Sequence, residues 1–451
     1  MFSTTDTIVA IATPHGRGGI GIVRVSGPEA TRVARLLSGT DEPLEPRRAT
    51  LRKIAAGTLA SDRAILTFFS SPHSYTGDDV LEISAHGSPI LLRAIVEAAM
   101  LGGARLAEPG EFTLRAYLNG RLDLVQAEAV RDLVDAVTPL QARAAFDQLE
   151  GTLTARLGAI ESMLFELTLK LEASLDFPDE GYHFVGADGA ASDIGAAMDA
   201  IDDLLAEADR GRLVREGAQV AIVGRPNVGK SSLFNRLAGA GRAIVTAIPG
   251  TTRDLLTETI DIEGIPLTVI DTAGLRAAAV DEVEAEGIAR AHSARRVADV
   301  TIVVLDGSAP LSADDRQLLD ETSNQRRLVI VNKADLVPAW EAGAAGLTEA
   351  LQVSALTGAG IEAFRKALAA QLSGGEALRD CPSITNARHA DLLRRARVTL
   401  DRARAAARAG TPEEFVAADV AEARDLLGEV TGQRTADDVL SGIFSTFCIG
   451  K

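Results

Sequence analysis

The stretch Gly224-Arg-Pro-Asn-Val-Gly-Lys-Ser231 decides the fold of the central part of the chain. It follows the apolar run AQVAIV (218–223) and leads into SLFNRLAG (232–239). A G-x-x-x-x-G-K-S pattern between a strand and a helix predicts a phosphate-binding loop, whose backbone N–H groups curl round the phosphates. Lys230 can reach the outer two phosphates, and the Ser231 hydroxyl can ligate Mg²⁺. We therefore expect a P-loop nucleotide-binding domain here.

Three further motifs follow in order, each directly after an apolar strand-like run. Asp271-Thr-Ala-Gly274 would supply a carboxylate to the Mg²⁺ shell and a glycine N–H that senses the γ-phosphate. Asn332-Lys-Ala-Asp335 ends with a carboxylate that can accept both N–H groups on the edge of guanine, which adenine does not offer. Ser354-Ala-Leu356 closes the series. The motifs together predict GTP, and not ATP, as the ligand.

The segment Gly250-Thr-Thr-Arg-Asp254 lies between the first two motifs and is the candidate switch. Thr252 is our choice for the threonine that completes Mg²⁺ coordination, with Thr251 as the alternative. Many small GTPases carry a glutamine where this chain has Leu275, and leucine cannot orient the attacking water. The catalytic polar group must then come from a partner, an ion or the acidic segment 281–284, which could equally be an exposed acidic helix start.

The rest of the chain predicts a multidomain protein. Residues 1–120 mix short strands with helices, as in a small α+β domain, and an apolar stripe from Phe146 to Leu171 indicates a helix that packs on others. Thr411, Pro412 and Glu414 have the spacing of a helix capping box. The predicted domains are 1–120 (α+β), 121–213 with 375–451 (one discontinuous α-helical domain) and 214–374 (an inserted α/β, Ras-like P-loop GTPase domain).

Composition narrows the function classes. The formal charge of −17 argues against nonspecific nucleic-acid binding, and the arginine-rich run 386–410 is either a solvated helix face or a local RNA contact. Two cysteines offer no metal-ligand spacing. The chain shows no signal-peptide pattern and no apolar run of membrane-spanning length, so we expect a cytoplasmic protein without stable membrane insertion. Gly16-Arg-Gly-Gly-Ile-Gly21 fits a dinucleotide motif but leads into a strand and not a helix.

The whole chain resembles the bacterial family of tRNA-modification GTPases called MnmE or TrmE. The resemblance lies in TIVAIATPHGRGGIGIVRVSG, YTGDDVLEISAHG, PGEFTLRAYLNGRLDLVQAEAV, GTTRD, DTAGLR and the terminal Cys448-Ile-Gly-Lys451. It implies a folate-binding N-terminal domain that forms a homodimer, and GTPase domains that pair across their nucleotides with stimulation by K⁺. It also implies a flavin-dependent partner resembling MnmG (GidA) in a heterotetramer, with a tRNA substrate.

In that family the pair installs a carboxymethylaminomethyl-type group at C5 of the wobble uridine, with the one-carbon unit from 5-formyl- or 5,10-methylene-tetrahydrofolate. The resemblance implies catalytic roles for Glu284 (or Glu282) and Cys448, K⁺ contacts at Asn227, Thr246, Ile248 and Thr251, and folate contacts at Arg24, Glu82, Arg121 and Lys451. The implied GTP-binding residues are Asn227, Val228, Gly229, Lys230, Ser231, Ser232, Thr246, Ala247, Ile248, Pro249, Gly250, Thr251, Thr252, Asp271, Thr272, Ala273, Gly274, Asn332, Lys333, Asp335, Ser354, Ala355 and Leu356.

Two other functions compete with this interpretation. A GTP-switched ribosome-assembly factor would need an RNA-binding module with a G-x-x-G loop, and none follows the GTPase motifs. A folate-dependent one-carbon transferase could use the GTPase domain only as a scaffold, and retained turnover without GTP hydrolysis would favour it.

Overall fold

The computed structural model describes residues 5–56, 60–176, 186–240, 259–270, 298–375 and 383–450 of the 451-residue chain. The chain forms two compact units. Unit 1 comprises Met1–Arg131, Gln148–Ile194 and Val398–Lys451, and unit 2 comprises Asp132–Asp147 and Gly195–Arg397. Each unit is thus built from segments that are distant in sequence. None of the described helices has both the length and the apolar composition to span a membrane.

A six-stranded sheet forms the N-terminal part of unit 1. Its elements are β1 (Thr7–Ile11), β2 (Gly18–Ser26), α1 (Ala30–Ser38), β3 (Thr50–Ala56), β4 (Ala60–Phe69), β5 (Val80–Gly87), α2 (Pro89–Leu101), β6 (Ala104–Leu106) and α3 (Glu111–Leu118). The strand order is β3-β4-β5-β2-β1-β6, antiparallel except for the parallel β1–β6 pair. Alternate residues such as Val23, Leu66 and Ile83 pack with both helices in one core. The opposite face carries the other alternates, which include both charged residues such as Arg24 and Glu82 and apolar residues such as Leu51 and Ile65.

The glycine-rich motif at 16–21 is part of this sheet. β2 begins at Gly18, so the motif leads into a strand, as predicted. A Cβ on Gly21 would lie 2.5 Å from Leu92 Cδ1, and one on Gly87 would lie 2.5 Å from Gly18 O. Gly21 and Gly87 therefore allow close packing of β2, β5 and α2, which explains the last glycine of the motif without a dinucleotide.

A buried guanidinium fixes the start of β1 to α3. Arg115 is fully buried and donates to the backbone oxygen and a carboxylate oxygen of Asp6, both at 2.6 Å, and to Glu111 at 3.0 Å. Arg105 also binds both carboxylates. Burial alone would raise the pKa values of Asp6 and Glu111. The hydrogen bonds from these arginines outweigh that effect and hold both pKa values below their usual range. The pairing compensates the buried charge.

Helices follow the N-terminal sheet. They are α4 (Leu124–Asp135), α5 (Pro139–Leu149), α6 (Thr152–Asp176), α7 (Ala187–Ala206) and α8 (Ala208–Glu216).

Unit 2 contains the second sheet. Its elements are β7 (Ala218–Val223), α9 (Lys230–Ala240), β8 (Thr259–Ile262), β9 (Ile265–Ile270), β10 (Val300–Asp306), α10 (Ala313–Glu321), β11 (Arg327–Asn332), β12 (Leu351–Gln352) and α11 (Ile361–Ser373). The order is β12-β11-β10-β7-β9-β8, parallel except for the β8–β9 hairpin. The mostly parallel sheet agrees with the predicted α/β domain, and both residues of the Glu263–Gly264 turn have positive φ.

The last helices are α12 (Ala387–Arg408), α13 (Glu413–Thr431) and α14 (Asp437–Phe444). The predicted capping box at Thr411 is wrong. The N-cap is Pro412, with an extended ψ of 137° and no side-chain cap hydrogen bond. Because Pro412 is extended, the helix begins after it, and Thr411 is too far from the first turn to cap it.

The predicted apolar stripe lies mostly on α6. Six of its members are buried there: Leu153, Leu157, Ile160, Leu164, Leu167 and Leu171. α6 packs against α13, where Arg424 donates to Glu161 at 2.7 Å. The prediction is wrong for Phe146, which lies on α5 and is 49% exposed. Gly151, at a φ of 84°, separates the two helices and breaks the periodicity.

The arginine-rich run forms α12, and several of its arginines are paired with acids. Arg397 donates to both carboxylate oxygens of Asp202 at 2.9 Å. Arg402 binds Asp419 and Glu422 at 2.7 Å. These pairs favour the solvated helix face over the local RNA contact.

Candidate functional site

The phosphate-binding loop joins β7 to α9. Gly224 and Gly229 have φ angles of 154° and 98°. A Cβ would lie 2.4 Å from Val304 O at the first position and 2.2 Å from Asn332 Nδ2 at the second. Only glycine fits these two positions, so the loop can turn tightly and present its N–H groups to an anion.

Lys230 is half-buried at the first position of α9. Its Nζ donates hydrogen bonds of 2.8 Å to the carbonyl oxygens of Gly224 and Arg225. Burial lowers the pKa of its ammonium group, and no carboxylate of the described residues counters that effect. An anion with several oxygens would compensate this charge, so the loop fits a phosphate chain.

Asn332 connects the phosphate loop with the base-recognition loops. Its side chain is buried, donates from Nδ2 to Val228 O at 2.9 Å and accepts from the Ala355 N–H at 3.0 Å. The first, third and fourth motifs thus meet at one buried amide at the carboxyl ends of parallel strands, the usual place of ligand sites in such sheets.

Asp335 and Ser354 are also brought together, as the motif order predicts. Ser354 Oγ donates to Asp335 Oδ1 at 2.6 Å, which orients the exposed carboxylate and leaves its other oxygen for a ligand. Lys333, at a φ of 66°, pairs with Asp306 at 2.5 Å. Arg236 donates to the carbonyl oxygens of Ala355 and Leu356. The base-recognition loops are therefore ordered by hydrogen bonds between their own side chains and by bonds to Arg236 on α9 and Asp306 on β10.

Part of the predicted site lies outside the described residues. This holds for Thr246, Ala247, Ile248, Pro249, Gly250, Thr251, Thr252, Asp271, Thr272, Ala273, Gly274, Glu282 and Glu284. Of the predicted Mg²⁺ and K⁺ ligands, the structure describes Ser231 at the start of α9 and Asn227 in the loop, at a φ of 63°. Ser232 follows in the first turn of α9.

A second polar cluster lies on the open face of the unit 1 sheet. Arg24 on β2 donates from Nε and Nη2 to Glu82 on β5, at 3.0 and 2.9 Å. The Arg24 guanidinium lies 5.3 Å from the centre of the Tyr75 ring and 5.8 Å from that of Phe112. Burial raises the pKa of Tyr75, whose hydroxyl is hydrogen-bonded to Thr113 at 2.9 Å. Two of the predicted folate contacts are therefore adjacent, between aromatic walls.

The C-terminal segment reaches the same cluster. The Gly110 N–H donates to Cys448 O at 3.4 Å, and Ile449 forms a bridge with Pro109. Gly450 lies against the end of β1, where Ala10 pairs with Arg24. Cys448 is a free, exposed cysteine. Arg121 is exposed beside Gly77, two residues from Tyr75, and Lys451 lies outside the described residues.

Sequence reasoning missed Tyr75, Phe112 and Gly450 as parts of this cluster. All three lie in the stretches that carry the family resemblance, YTGDDVLEISAHG, PGEFTLRAYLNGRLDLVQAEAV and the terminal CIGK. Their position within these stretches was the sequence signal that could have identified them. Their proximity to Arg24 arises only through sheet pairing and α3.

Comparison with known proteins covers the whole chain. A family model described as the MnmE helical domain matches residues 124–448, and one described as the GTP-binding protein TrmE N-terminus matches residues 7–121. The chain is 44% identical to the tRNA modification GTPase MnmE of Koribacter versatilis over 453 residues, covering 99% of both chains. It is 42% identical to that of Nitrosomonas europaea over 460 residues, covering 100% of both chains.

Proposed function

Because the chain belongs to the MnmE (TrmE) family of tRNA modification GTPases, we propose that its GTP hydrolysis is coupled to C5 modification of the wobble uridine in certain tRNAs. The chain is a GTP hydrolase of tRNA modification. We further propose that the modification is a carboxymethylaminomethyl-type group. The chain would install it together with a flavin-dependent partner, and a tetrahydrofolate would supply the one-carbon unit. The observation that supports this proposal is the Arg24–Glu82 pair on β2 and β5, in the same unit as the Cys448–Gly450 segment, which lies against Gly110 and the end of β1.

In unit 2, the proposed roles follow the geometry of the loops. Lys230 exchanges its bonds to the loop carbonyls for phosphate oxygens, since those bonds leave its buried charge uncompensated. Asp335 accepts from the edge of guanine with the oxygen that Ser354 does not use. Ser231 and Thr252 would hold Mg²⁺, which supplies charge neutralisation at the phosphates.

Hydrolysis needs a group that orients the attacking water. Because position 275 is leucine, that group must come from elsewhere. We assign that role to Glu284, with Glu282 as the alternative. K⁺, held by Asn227, Thr246, Ile248 and Thr251, would supply further positive charge near the phosphates. We also propose that GTPase domains pair across their nucleotides in a homodimer.

In unit 1, the paired guanidinium and carboxylate of Arg24 and Glu82 fit the donor and acceptor edge of a pterin, and Tyr75 and Phe112, whose rings contact the guanidinium, would hold this pair in place. Arg121 and Lys451 would bind the cofactor from the rim. Cys448 would act in the modification reaction, and its exposure leaves the thiol accessible.

Hydrolysis rates test the catalytic assignment. We expect faster GTP turnover in KCl than in NaCl at equal ionic strength. Glu284→Ala is expected to lower turnover at least about a hundredfold while GTP binding is retained. Equal rates in both salts would remove the K⁺ proposal, and normal turnover of Glu284→Ala would move the role elsewhere.

Nucleoside mass spectrometry tests the coupled function. Cells that lack the gene would be complemented with wild type, Asp271→Asn or Cys448→Ser. We expect loss of C5-modified wobble uridine without the gene and rescue by wild type alone. An unchanged nucleoside profile in the deletion strain would contradict the proposal.

A further inference from the structure

The open face of the unit 1 sheet carries three cross-strand rows of different chemistry. The first row is Thr67, Glu82 and Arg24, which pair in register across β4, β5 and β2. It contains the polar pair described above. The other two rows lie further along the same strands.

The second row is mainly apolar. Leu51, Ile65, Ser84 and Ile22 pair in register across β3, β4, β5 and β2. Leu51 is 63% and Ile65 43% exposed. This row offers a flat apolar surface directly beside the Arg24–Glu82 pair.

The third row is cationic. Lys53 and Arg63 are directly opposite each other on β3 and β4, both exposed, and neither forms an ion pair with a described residue. Like charges that face each other across two strands are unfavourable unless an anion lies between them. His86, whose Nδ1 is 2.8 Å from Asp62, and Arg17 line an adjacent cavity of about 440 Å³.

We propose that this third row binds the carboxylates of the γ-linked glutamate tail of the tetrahydrofolate. The inference rests on the proposed folate site at Arg24 and Glu82, and it names the form of the cofactor that the site selects. The pterin lies at the first row, the aminobenzoyl ring on the second, and the tail between Lys53, Arg63 and the cavity.

The spacing and order of the rows support this assignment. Glu82 and His86 are four residues apart on β5, or about 13 Å at the rise of a strand. That span suits an aminobenzoyl group with its flanking bonds. A phosphate backbone would gain nothing from the apolar row between the two polar ones, which favours an amphipathic ligand over RNA.

Calorimetric titration of the full chain tests the proposal. The probes are 5-formyltetrahydrofolate with one glutamate and with three. Wild type is expected to bind the triglutamate about tenfold more tightly, because two exposed cations each contribute modestly. The double variant Lys53→Gln, Arg63→Gln should lose this preference and bind the monoglutamate about threefold more weakly, because the first glutamate also places its carboxylates at the third row. Arg35→Gln, an exposed arginine on α1, is the matched control and should retain the preference.

Each other outcome has a separate meaning. Equal wild-type affinity for both probes would overturn the tail site and leave the folate site standing. Absence of binding by either probe would overturn the proposed folate function itself. A double variant that keeps its triglutamate preference but binds tRNA more weakly in filter assays would assign the third row to RNA.

Discussion

Asn332 shows how one buried amide organises the nucleotide site. Sequence reasoning predicted it as a nucleotide contact because it opens the Asn-Lys-Ala-Asp motif. The structure adds that it bonds Val228 O in the phosphate loop and the Ala355 N–H in the last motif. This bridging could not be read from the sequence, because the bonded residues are 104 and 23 positions away.

Replacement of Asn332 by alanine is expected to weaken GTP binding about tenfold or more. The change leaves a buried C=O and a buried N–H without their partner, at about 1–3 kcal/mol each, and frees the phosphate loop from the base loop. A fluorescent GTP analogue measures the affinity. Asn324→Ala, at an exposed position, is the control. Unchanged affinity in Asn332→Ala would show that the bridge does not order the site.

Helix α8 illustrates that the sequence predicted the helices but not the tertiary contacts that determine individual residues in them. The segment was expected to be helical, and it is. Glycine is a poor helix former, so Gly211 looks unfavourable in a helix interior. The reason for it is tertiary: a Cβ there would lie 1.6 Å from Ile384 O. Local periodicity contains no information on that contact, just as it did not reveal the break at Gly151.

Two glycine substitutions in unit 2 should therefore have opposite signs. Gly195→Ala on α7, where a Cβ meets nothing within 4 Å, is expected to stabilise the unit by up to about 1 kcal/mol through helix propensity. Gly211→Ala should destabilise it by about 2 kcal/mol or more, because overpacking against backbone exceeds that gain. Urea unfolding followed by the fluorescence of Trp340, the single tryptophan and a unit 2 residue, measures both. Stabilisation by both alanines would refute the close packing at Gly211.

At the scale of the whole molecule, the two sites differ in how far the sequence could predict them. The part of the GTP site that the structure describes comes from short contiguous motifs at strand ends, and their order in the sequence was enough to predict that they lie together. The proposed unit 1 site draws on positions 24, 75, 82, 112 and 448–450. No local pattern relates such distant residues, so only the family resemblance pointed to four of the proposed contacts, and sheet pairing added the rest.

Because the two sites lie on different units, a change in the C-terminal segment should separate their activities. Gly450 has a φ of 100°, and a Cβ there would lie 2.4 Å from Ile11 O, so Gly450→Ala must displace the segment that carries Cys448 and Lys451. We expect normal GTP hydrolysis by this variant and, in complemented cells, at least about tenfold less C5-modified wobble uridine. Gly442→Ala on α14, where a Cβ meets nothing within 4 Å, should behave as wild type in both assays. Full modification with Gly450→Ala would show that the seating of the C-terminal segment on β1 is not needed for the reaction, whereas parallel loss of hydrolysis would mean that the two sites do not act separately.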